Sequence, residues 1–256
     1  MDAIKARPPK TIPDYLTPMS SHLLTTTLTD LLHSAYPSSP TVASPPRILP
    51  QGHHLVYFPI QLPPSALVPD GADPGHSPGA PFTRRVWAGG EVTFGTRAAE
   101  MRLDGRAVVC REKVEDVGLR GKDDPHPPSH SVSLTPSTTH LFHFSALSFN
   151  AHAIHFDPLY ARDVDGHRAL LVHGPLTLAL MLRVLADHLG EGVYVRRFTY
   201  RNHAPLYVNE RMTVSLRQVS GNGDTTGRWD VWVEGLDGGL AVKGTAEVIP
   251  MENNTV

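Results

Sequence analysis

The sequence predicts an α+β fold in which antiparallel sheets each wrap around a central helix. Residues 174–189 carry apolar side chains around most of the helical circumference, a pattern typical of a helix buried on nearly all sides. Residues 212–217 and 240–248 follow it and alternate apolar with polar side chains, as antiparallel strands with one buried face do. With 256 residues, the chain is long enough to contain two such units.

Local signals mark the boundaries of these elements in the second half of the chain. Pro175 suits the first turn of the buried helix, and Gly190 suits its exit. Residues 221–224 read Gly-Asn-Gly-Asp, which predicts a tight turn before a strand at residues 229–233. A buried helix followed by consecutive antiparallel strands is the hot-dog arrangement. We therefore place a C-terminal catalytic hot-dog half at residues 126–256.

The first half shows strands but a weaker central helix. Residues 16–34 have helical periodicity, and Trp87 is expected to lie in the core. The predicted strands are 54–59, 86–94, 100–103 and 107–117. No segment here is as apolar as the later helix. Residues 1–125 are therefore predicted to form a degenerate second hot dog, so that the whole chain is a double hot-dog fold.

Composition and charge exclude several classes of protein. The formal net charge is −2, from 23 basic and 25 acidic residues, which does not favour binding to nucleic acid or to an anionic membrane surface. The single cysteine, Cys110, excludes an intramolecular disulfide and suits a reducing compartment. Residues 1–10 are basic, but Pro8 and Pro9 disfavour an amphipathic targeting helix, so the compartment stays open between mitochondrion and cytoplasm.

The 24 prolines and 21 glycines concentrate in three stretches, which predicts long connecting loops. These stretches are 37–50, 63–81 and 124–136. The third contains His126 and His130, without the regular ligand spacing of a metal site. His152 and His155 also lack a third nearby ligand in pattern, so we expect no metal site.

The window from residue 145 to residue 176 carries the chemistry. Gly174 and Pro175 open the buried helix, where free backbone N–H groups and the positive end of the helix dipole can stabilise an enolate oxygen of a thioester. A helix start without a ligand is the alternative interpretation. His155 can take and return a proton near neutral pH, although it can also be a structural histidine. Asp157 followed by Pro158 predicts a helix start over residues 159–163.

Residues 148–161 resemble the signature of the MaoC-type R-specific enoyl-thioester hydratases. That signature reads Ser-Gly-Asp-x-Asn-Pro-aliphatic-His, followed after five residues by a small one. The positions that match are Ser148, Ile154, His155 and Ala161. The positions that differ are Phe149, Asn150, His152 and Ala153, where the family has Gly, Asp, Asn and Pro.

The departures point to a subgroup. Together with residues 84–90 and 198–207, the window resembles the double hot-dog mesaconyl-CoA hydratase and fungal hydroxyacyl-thioester dehydratase type 2 group. The resemblance covers most of the chain from His53 onward and implies reversible hydration of a 2-enoyl thioester to a 3-hydroxyacyl thioester. Coenzyme A or the phosphopantetheine arm of an acyl-carrier protein enters as part of the substrate. No metal or redox cofactor is expected, and a homodimer is left open.

The resemblance also implies roles for individual residues. His155 becomes the general acid–base, the Gly174 amide holds the thioester oxygen, and Asn150 stands at the partner position. Because a carboxamide cannot accept the proton, Asn150 is expected to orient the water. The expected substrate-binding residues are His173, Ser148, Arg84 and Arg85. The two arginines can contact the phosphates of coenzyme A or of the carrier arm, or can form an ordinary salt bridge.

The sequence leaves three functions open. The first is dehydration of 3-hydroxyacyl thioesters, of the type that serves mitochondrial fatty-acid synthesis. The second is hydration of mesaconyl- or itaconyl-CoA, which needs a cationic group in the pocket for the second carboxylate. The third is thioester hydrolysis, or acyl-thioester binding without catalysis.

Overall fold

The computed structural model describes residues 6–32, 46–76, 87–95, 101–113, 127–221 and 225–251. The helices are α1 Pro18–Leu31, α2 Thr138–Leu147, α3 Pro158–Asp163 and α4 Gly174–Leu189. The strands are β1 Lys10–Tyr15, β2 Gly89–Thr93, β3 Ala107–Glu112, β4 His130–Leu134, β5 Val193–Asn202, β6 Met212–Ser220, β7 Gly227–Glu234 and β8 Leu240–Pro250. Short 3-10 helices lie at His53–Val56, Pro64–Ala66, Pro74–His76 and Ala153–His155.

Helix α4 forms the centre of the second half. Its side chains at Leu176, Leu180 and Val184 are fully buried, as the apolar circumference predicts. Pro175 occupies its first turn, and Gly190 ends it with a φ of 74°, a conformation that glycine adopts without strain. These boundaries confirm the predicted helix.

A six-stranded antiparallel sheet packs against this helix, in the order β2-β5-β8-β7-β6-β4. The strands predicted at 212–217, 229–233 and 240–248 are confirmed as the cores of β6, β7 and β8. At Gly244 in β8, an added Cβ would lie 2.9 Å from the ring of Phe198, so the missing side chain leaves room for that ring. Residues 222–224 of the predicted turn lie outside the described residues.

Strand β2 comes from the first part of the chain and pairs with β5 at the edge of the large sheet. Gly89 has a φ of 144°, and a Cβ there would lie 2.3 Å from the carbonyl oxygen of Tyr200. Gly90 faces the ring of the same tyrosine, with its Cβ position 3.4 Å from the hydroxyl. The two glycines therefore allow the chain to approach β5 closely, which sets Trp87 beside the start of α4.

The other described elements of the first half are smaller. Strands β1 and β3 form a two-stranded antiparallel sheet, and α1 packs against α2. Leu24 and Leu28 of α1 are fully buried, while Thr27 and Ser21 are also buried on this helix. Helix α1 therefore buries polar side chains beside its leucines, and the degenerate hot dog at residues 1–125 stays a prediction.

The prediction of a strand at 54–59 is wrong. Gly52, with a φ of 90°, turns the chain into the 3-10 helix His53–Val56. His53 is buried there with its Nδ1 2.7 Å from the hydroxyl of Ser21, and Tyr57 donates its hydroxyl proton to the Thr17 carbonyl at 2.5 Å. These contacts with the start of α1 override the strand preference of the apolar residues.

Three other predictions in the first half need adjustment. Residues 101–103 do not form a strand. Arg102 makes an isolated bridge with Ile48, and the pairing does not extend into a ladder. Strand β3 ends at Glu112, and residues 114–117 lie outside the described residues. Trp87 is about half-exposed rather than in the core. Within the described ranges, no helix is long and apolar enough to cross a bilayer.

Candidate active site

His155 is the last residue of the 3-10 helix Ala153–His155, which packs against the residues that precede α4. Its ring is buried, and its Nδ1 is 2.9 Å from the carbonyl oxygen of Leu171. A carbonyl oxygen only accepts hydrogen bonds, so Nδ1 carries the proton and donates it. Nε2 therefore presents a lone pair, and the described residues provide no hydrogen-bond partner for it. This tautomer is the one that a general base requires.

Burial also fixes the charge of His155. Loss of water lowers the pKa of its imidazole to about 4, opposed by the hydrogen bond to Leu171 and reinforced by the nearby charge of His152. The ring is consequently neutral near pH 7. A neutral buried imidazole with an open Nε2 can accept a proton from water and return it to carbon.

His173 is the residue immediately before α4, and its side chain is completely buried. Its ring stacks on that of His155, with centroids 3.7 Å apart and planes 19° from parallel. Its Nε2 lies 2.9 Å from the hydroxyl of Ser145 in α2. Burial, followed by the charges of His155 and His152, lowers the pKa of His173 well below its ordinary value. The stack ties the His155 ring to the start of the buried helix.

Gly174 opens α4 next to this stack, as the first residue of the helix. Its N–H group makes no hydrogen bond to any other described residue. A Cβ at this position would lie 3.4 Å from Nδ2 of Asn202 and 3.5 Å from Cδ1 of Trp87. The free N–H group and the helix dipole give this point a positive potential suited to a developing oxyanion.

Trp87 and Asn202 form a wall beside Gly174. Asn202 donates from Nδ2 to the carbonyl of Trp87, and its backbone N–H donates to the carbonyl of Ala88 at 2.9 Å. The indole N–H of Trp87 donates to the hydroxyl of Tyr200. Asn202 lies in the 198–207 segment and Trp87 in the 84–90 segment, so both resemblance segments meet at the helix start.

Asn150 holds the loop that carries the histidines. Its carboxamide oxygen accepts a hydrogen bond from the backbone N–H of His152 at 2.9 Å. The backbone N–H of Asn150 donates to the Ser145 carbonyl at 2.8 Å. Phe149, just before it, is exposed and has a φ of 50°. That left-handed conformation is one that glycine adopts freely, and the hydratase signature has a glycine at this position.

The remaining predicted site residues are Ser148, Arg84 and Arg85, and the predicted helix cap Asp157 lies in the same window. The hydroxyl of Ser148 donates to the Phe144 carbonyl at 2.6 Å and so serves the end of α2. Arg84 and Arg85 lie outside the described residues. Asp157 is the N-cap of α3, where its carboxylate accepts the N–H groups of Leu159 and Tyr160 at 3.0 Å each, as predicted.

Among the residues that the structure describes, one cluster has the residue types of a metal site. Asp73, His76 and Glu112 bring their ligand atoms within 4.8 Å of one another. However, the Lys10 ammonium lies 2.7 Å from Asp73, and Nε2 of His76 lies 2.7 Å from Glu112. The pairing with Glu112 raises the pKa of His76. These charges compensate one another, so the cluster is a network of ion pairs between the 3-10 turn at Pro74–His76 and the small sheet.

Asp70 is a residue of the site that the sequence analysis missed. Its carboxylate lies 3.3 Å from Nε2 of His152, and both side chains are mostly shielded from water. It belongs to one of the proline-rich stretches, far from the window along the chain. No local pattern around it indicates a role at the site.

Comparison with known proteins agrees with this architecture. The family model described as hydroxyacyl-thioester dehydratase type 2 matches residues 52–126 and 118–208. A mesaconyl-C(4)-CoA hydratase of Chloroflexus aurantiacus is 30% identical over 252 residues, covering 82% of this chain and 86% of that protein. A mitochondrial hydroxyacyl-thioester dehydratase type 2 of Schizosaccharomyces pombe is 32% identical over 93 residues, or 36% of this chain and 31% of that protein.

Solved structures extend the likeness to nearly the whole chain. A MaoC-like dehydratase from Phytophthora capsici has a TM-score of 0.59 at 12% identity and covers 97% of both chains. HtdX of Mycobacterium tuberculosis has a TM-score of 0.59 at 15% identity, covering 94% of this chain and all of that one. At such identities the likeness concerns the fold alone. With the antiparallel sheet around α4, it confirms the predicted α+β hot-dog fold.

Proposed function

Because the chain belongs to the hydroxyacyl-thioester dehydratase type 2 family and is thus a hydro-lyase of acyl thioesters, we propose that its substrate is a 2-enoyl/3-hydroxyacyl thioester with an apolar acyl chain. The observation that carries the proposal is the neutral, buried His155 with an open Nε2, stacked on the residue that precedes the helix start. Among the described residues, the contacts of His155 and His173 include no arginine or lysine, which a second carboxylate on the substrate would need.

The helix start binds the thioester. In the proposed complex, the carbonyl oxygen accepts a hydrogen bond from the N–H of Gly174 at the positive end of α4. Trp87 and Asn202 border this position and limit the directions from which the acyl group can enter. The hydrogen bond withdraws electrons from the carbon–carbon double bond and prepares C3 for attack by water.

The proton then moves through His155. Nε2 takes a proton from water as the water oxygen bonds to C3, and the electron pair of the double bond moves through C2 to the thioester oxygen. The resulting enolate is held by Gly174 and collapses as the protonated ring delivers the proton to C2. Proton and hydroxyl arrive from one face, so the addition is syn, and dehydration follows the reverse path.

Asn150 has a positional role in this scheme. Its carboxamide cannot take up the proton, and its oxygen already accepts the N–H of His152. It orients the water and fixes the loop that presents His155. Ser148 and His173 support the same loop and ring from the neighbouring helix ends. The arginines at 84 and 85 are proposed to contact the phosphates of coenzyme A or of a carrier arm.

A second substrate class is supported by one specific observation. The mesaconyl-C(4)-CoA hydratase matches over most of its length, whereas the yeast dehydratases match over 93 and 80 residues. Hydration of a branched dicarboxyl-CoA is therefore the alternative. The yeast proteins are described as mitochondrial, and their partial match leaves mitochondrion and cytoplasm as alternative compartments for this chain.

The test is a hydration assay of the purified protein with crotonyl-, octenoyl-, mesaconyl- and itaconyl-CoA. Loss of enoyl absorbance without release of free thiol is expected, with the highest kcat/KM on crotonyl- or octenoyl-CoA. A preference of tenfold or more for mesaconyl-CoA would establish the alternative. Thiol release in step with turnover would show hydrolysis and overturn both.

A further inference from the structure

A loop from the first half of the chain lies directly on the histidine-bearing loop. The N–H of Ala153 donates to the carbonyl of Asp70 at 2.8 Å. At Gly71, with a φ of 80°, a Cβ would lie only 2.0 Å from the carbonyl oxygen of Ala151. Glycine is required for both the conformation and the close approach. Asp70 is thus held against the site by its backbone, independently of its side chain.

The Asp70 carboxylate uses both oxygens in defined contacts. Oδ1 accepts the N–H of Ala72 at 3.0 Å, and Oδ2 lies 3.3 Å from Nε2 of His152. The side chains of Asp70 and His152 are only 16% and 15% exposed. A carboxylate–imidazole contact so shielded from water is stronger than an exposed ion pair. The nearby carboxylate favours the tautomer of His152 that carries its proton on Nε2.

The His152 ring in turn restricts the orientation of the His155 ring. The two rings meet edge to face at 87°, with centroids 5.5 Å apart, while the ring of His173 stacks on His155. Rotation of His155 is therefore limited by a ring on its face and a ring at its edge. Asp70 is the group that holds the second of these rings.

We propose that Asp70 is the acidic residue of this active site: acting through His152, it positions the His155 imidazole for proton transfer. Asn150 stands where the hydratase signature has an acid and supplies no carboxylate, whereas Asp70 brings one to the histidine loop from the other half of the chain. Asp70 and His152 are positioning residues, and His155 remains the group that moves the proton. The inference rests on the proposed role of His155 in hydration.

The charge of His152 is consistent with this arrangement, because it lowers the pKa of His155 and so helps to keep that ring neutral. The groups seen against His152 include Asp70 and His155, and the ring of His173 stacks on the far partner, His155. The contact with Asp70 therefore links the first half of the chain to the protonation state of the catalytic ring.

The experiment compares Asp70→Asn with Asp73→Asn, a matched control in the same loop whose carboxylate pairs with Lys10 instead. Asp70→Asn is expected to lower kcat about ten- to a hundredfold with KM within about threefold, a loss of the size found when a carboxylate that orients a metal-bound histidine is removed. Asp73→Asn should keep kcat. The double variant Asp70→Asn/His152→Gln should be no slower than His152→Gln alone, because both changes break one chain of contacts.

An activity-independent readout separates this inference from the proposed function. In ¹⁵N-histidine NMR spectra, Asp70→Asn should shift the ring signals of His152 and His155, and Asp73→Asn should not. If these ring signals shift but the protein has no hydratase activity, the proposed function is overturned and the contact between Asp70 and His152 still stands. The positioning role would be overturned if Asp70→Asn left the ring signals unshifted or left kcat unchanged. It would also be overturned if Asp70→Asn and Asp73→Asn lost the same fraction of kcat while both stayed folded.

Discussion

The imidazole rings of His155 and His173 lie face to face, with centroids 3.7 Å apart and planes 19° from parallel. Two protonated rings at this separation would repel each other strongly in a site as buried as this one. Burial lowers the pKa of both histidines, so the stack is neutral at pH 7. The arrangement therefore accepts one proton at a time, as a group that shuttles a single proton between water and carbon must.

Replacement of the proton carrier should abolish most activity. His155→Ala removes the only group assigned to proton transfer, so kcat should fall about 10²–10⁴-fold in the hydration assay. His143→Ala, at an exposed position of α2, serves as the control and should keep activity. Near-normal turnover by His155→Ala would refute the assignment of His155 as the general acid–base.

Asn150→Ala should cost less than His155→Ala. The change removes the acceptor for the N–H of His152 and loosens the loop, but it leaves the His155 ring and its hydrogen bond to Leu171 in place. Asn150→Asp retains an acceptor oxygen and should be closer to the native protein in melting temperature. A loss for Asn150→Ala as large as that for His155→Ala would instead make Asn150 part of the proton transfer.

Gly89→Ala should reduce stability and activity together. Its Cβ would meet the carbonyl oxygen of Tyr200 at 2.3 Å, and the positive φ adds strain of about 1–3 kcal/mol. Because β2 would have to move away from β5, Trp87 would leave the start of α4. Gly105→Ala is the matched control, since Gly105 also has a positive φ but nothing within 4 Å. Thermal unfolding measures the stability of both variants, and the hydration assay should show a loss of activity only for Gly89→Ala. Equal activities of the two variants would refute the link between the position of β2 and the site.

The folded state should lose stability on acidification from about pH 6.5 to pH 4. Burial lowers the pKa of His53 and of His155 from 6.5 to about 4 each, and that of His173 well below its ordinary value. The unfolded chain binds more protons in this window, so the contribution of these neutral rings is complete above pH 6.5 and declines as the pH falls.

His53→Gln tests that prediction away from the active site. Urea unfolding between pH 7 and pH 4 should show a shallower loss of free energy of unfolding in this variant than in the native protein. His143→Gln, at an exposed position, should keep the native slope. A native protein that gains stability on acidification would contradict the burial of neutral histidines.

The sequence by itself determined the elements whose signals are local. The helix predicted from the mostly apolar circumference of α4, the strands predicted from alternation in β6 and β8, and the Asp157-Pro158 helix start are all found as predicted. Each depends on side-chain period or on a cap bonded within a few residues, and both can be deduced without knowing the rest of the fold. The resemblance of residues 148–161, taken together with residues 84–90 and 198–207, likewise indicated the family.

Only the tertiary structure decided features that depend on distant parts of the chain. The apolar segment at 54–59 becomes a 3-10 turn because His53 bonds to Ser21, and Trp87 leaves the core because β2 joins the edge of the large sheet. The contact between Asp70 and His152 has no local signature, since it arises from two loops packed together. The tautomer of His155 was set by a carbonyl on another segment, because hydrogen bonds in a buried site depend on what folding brings within 3 Å.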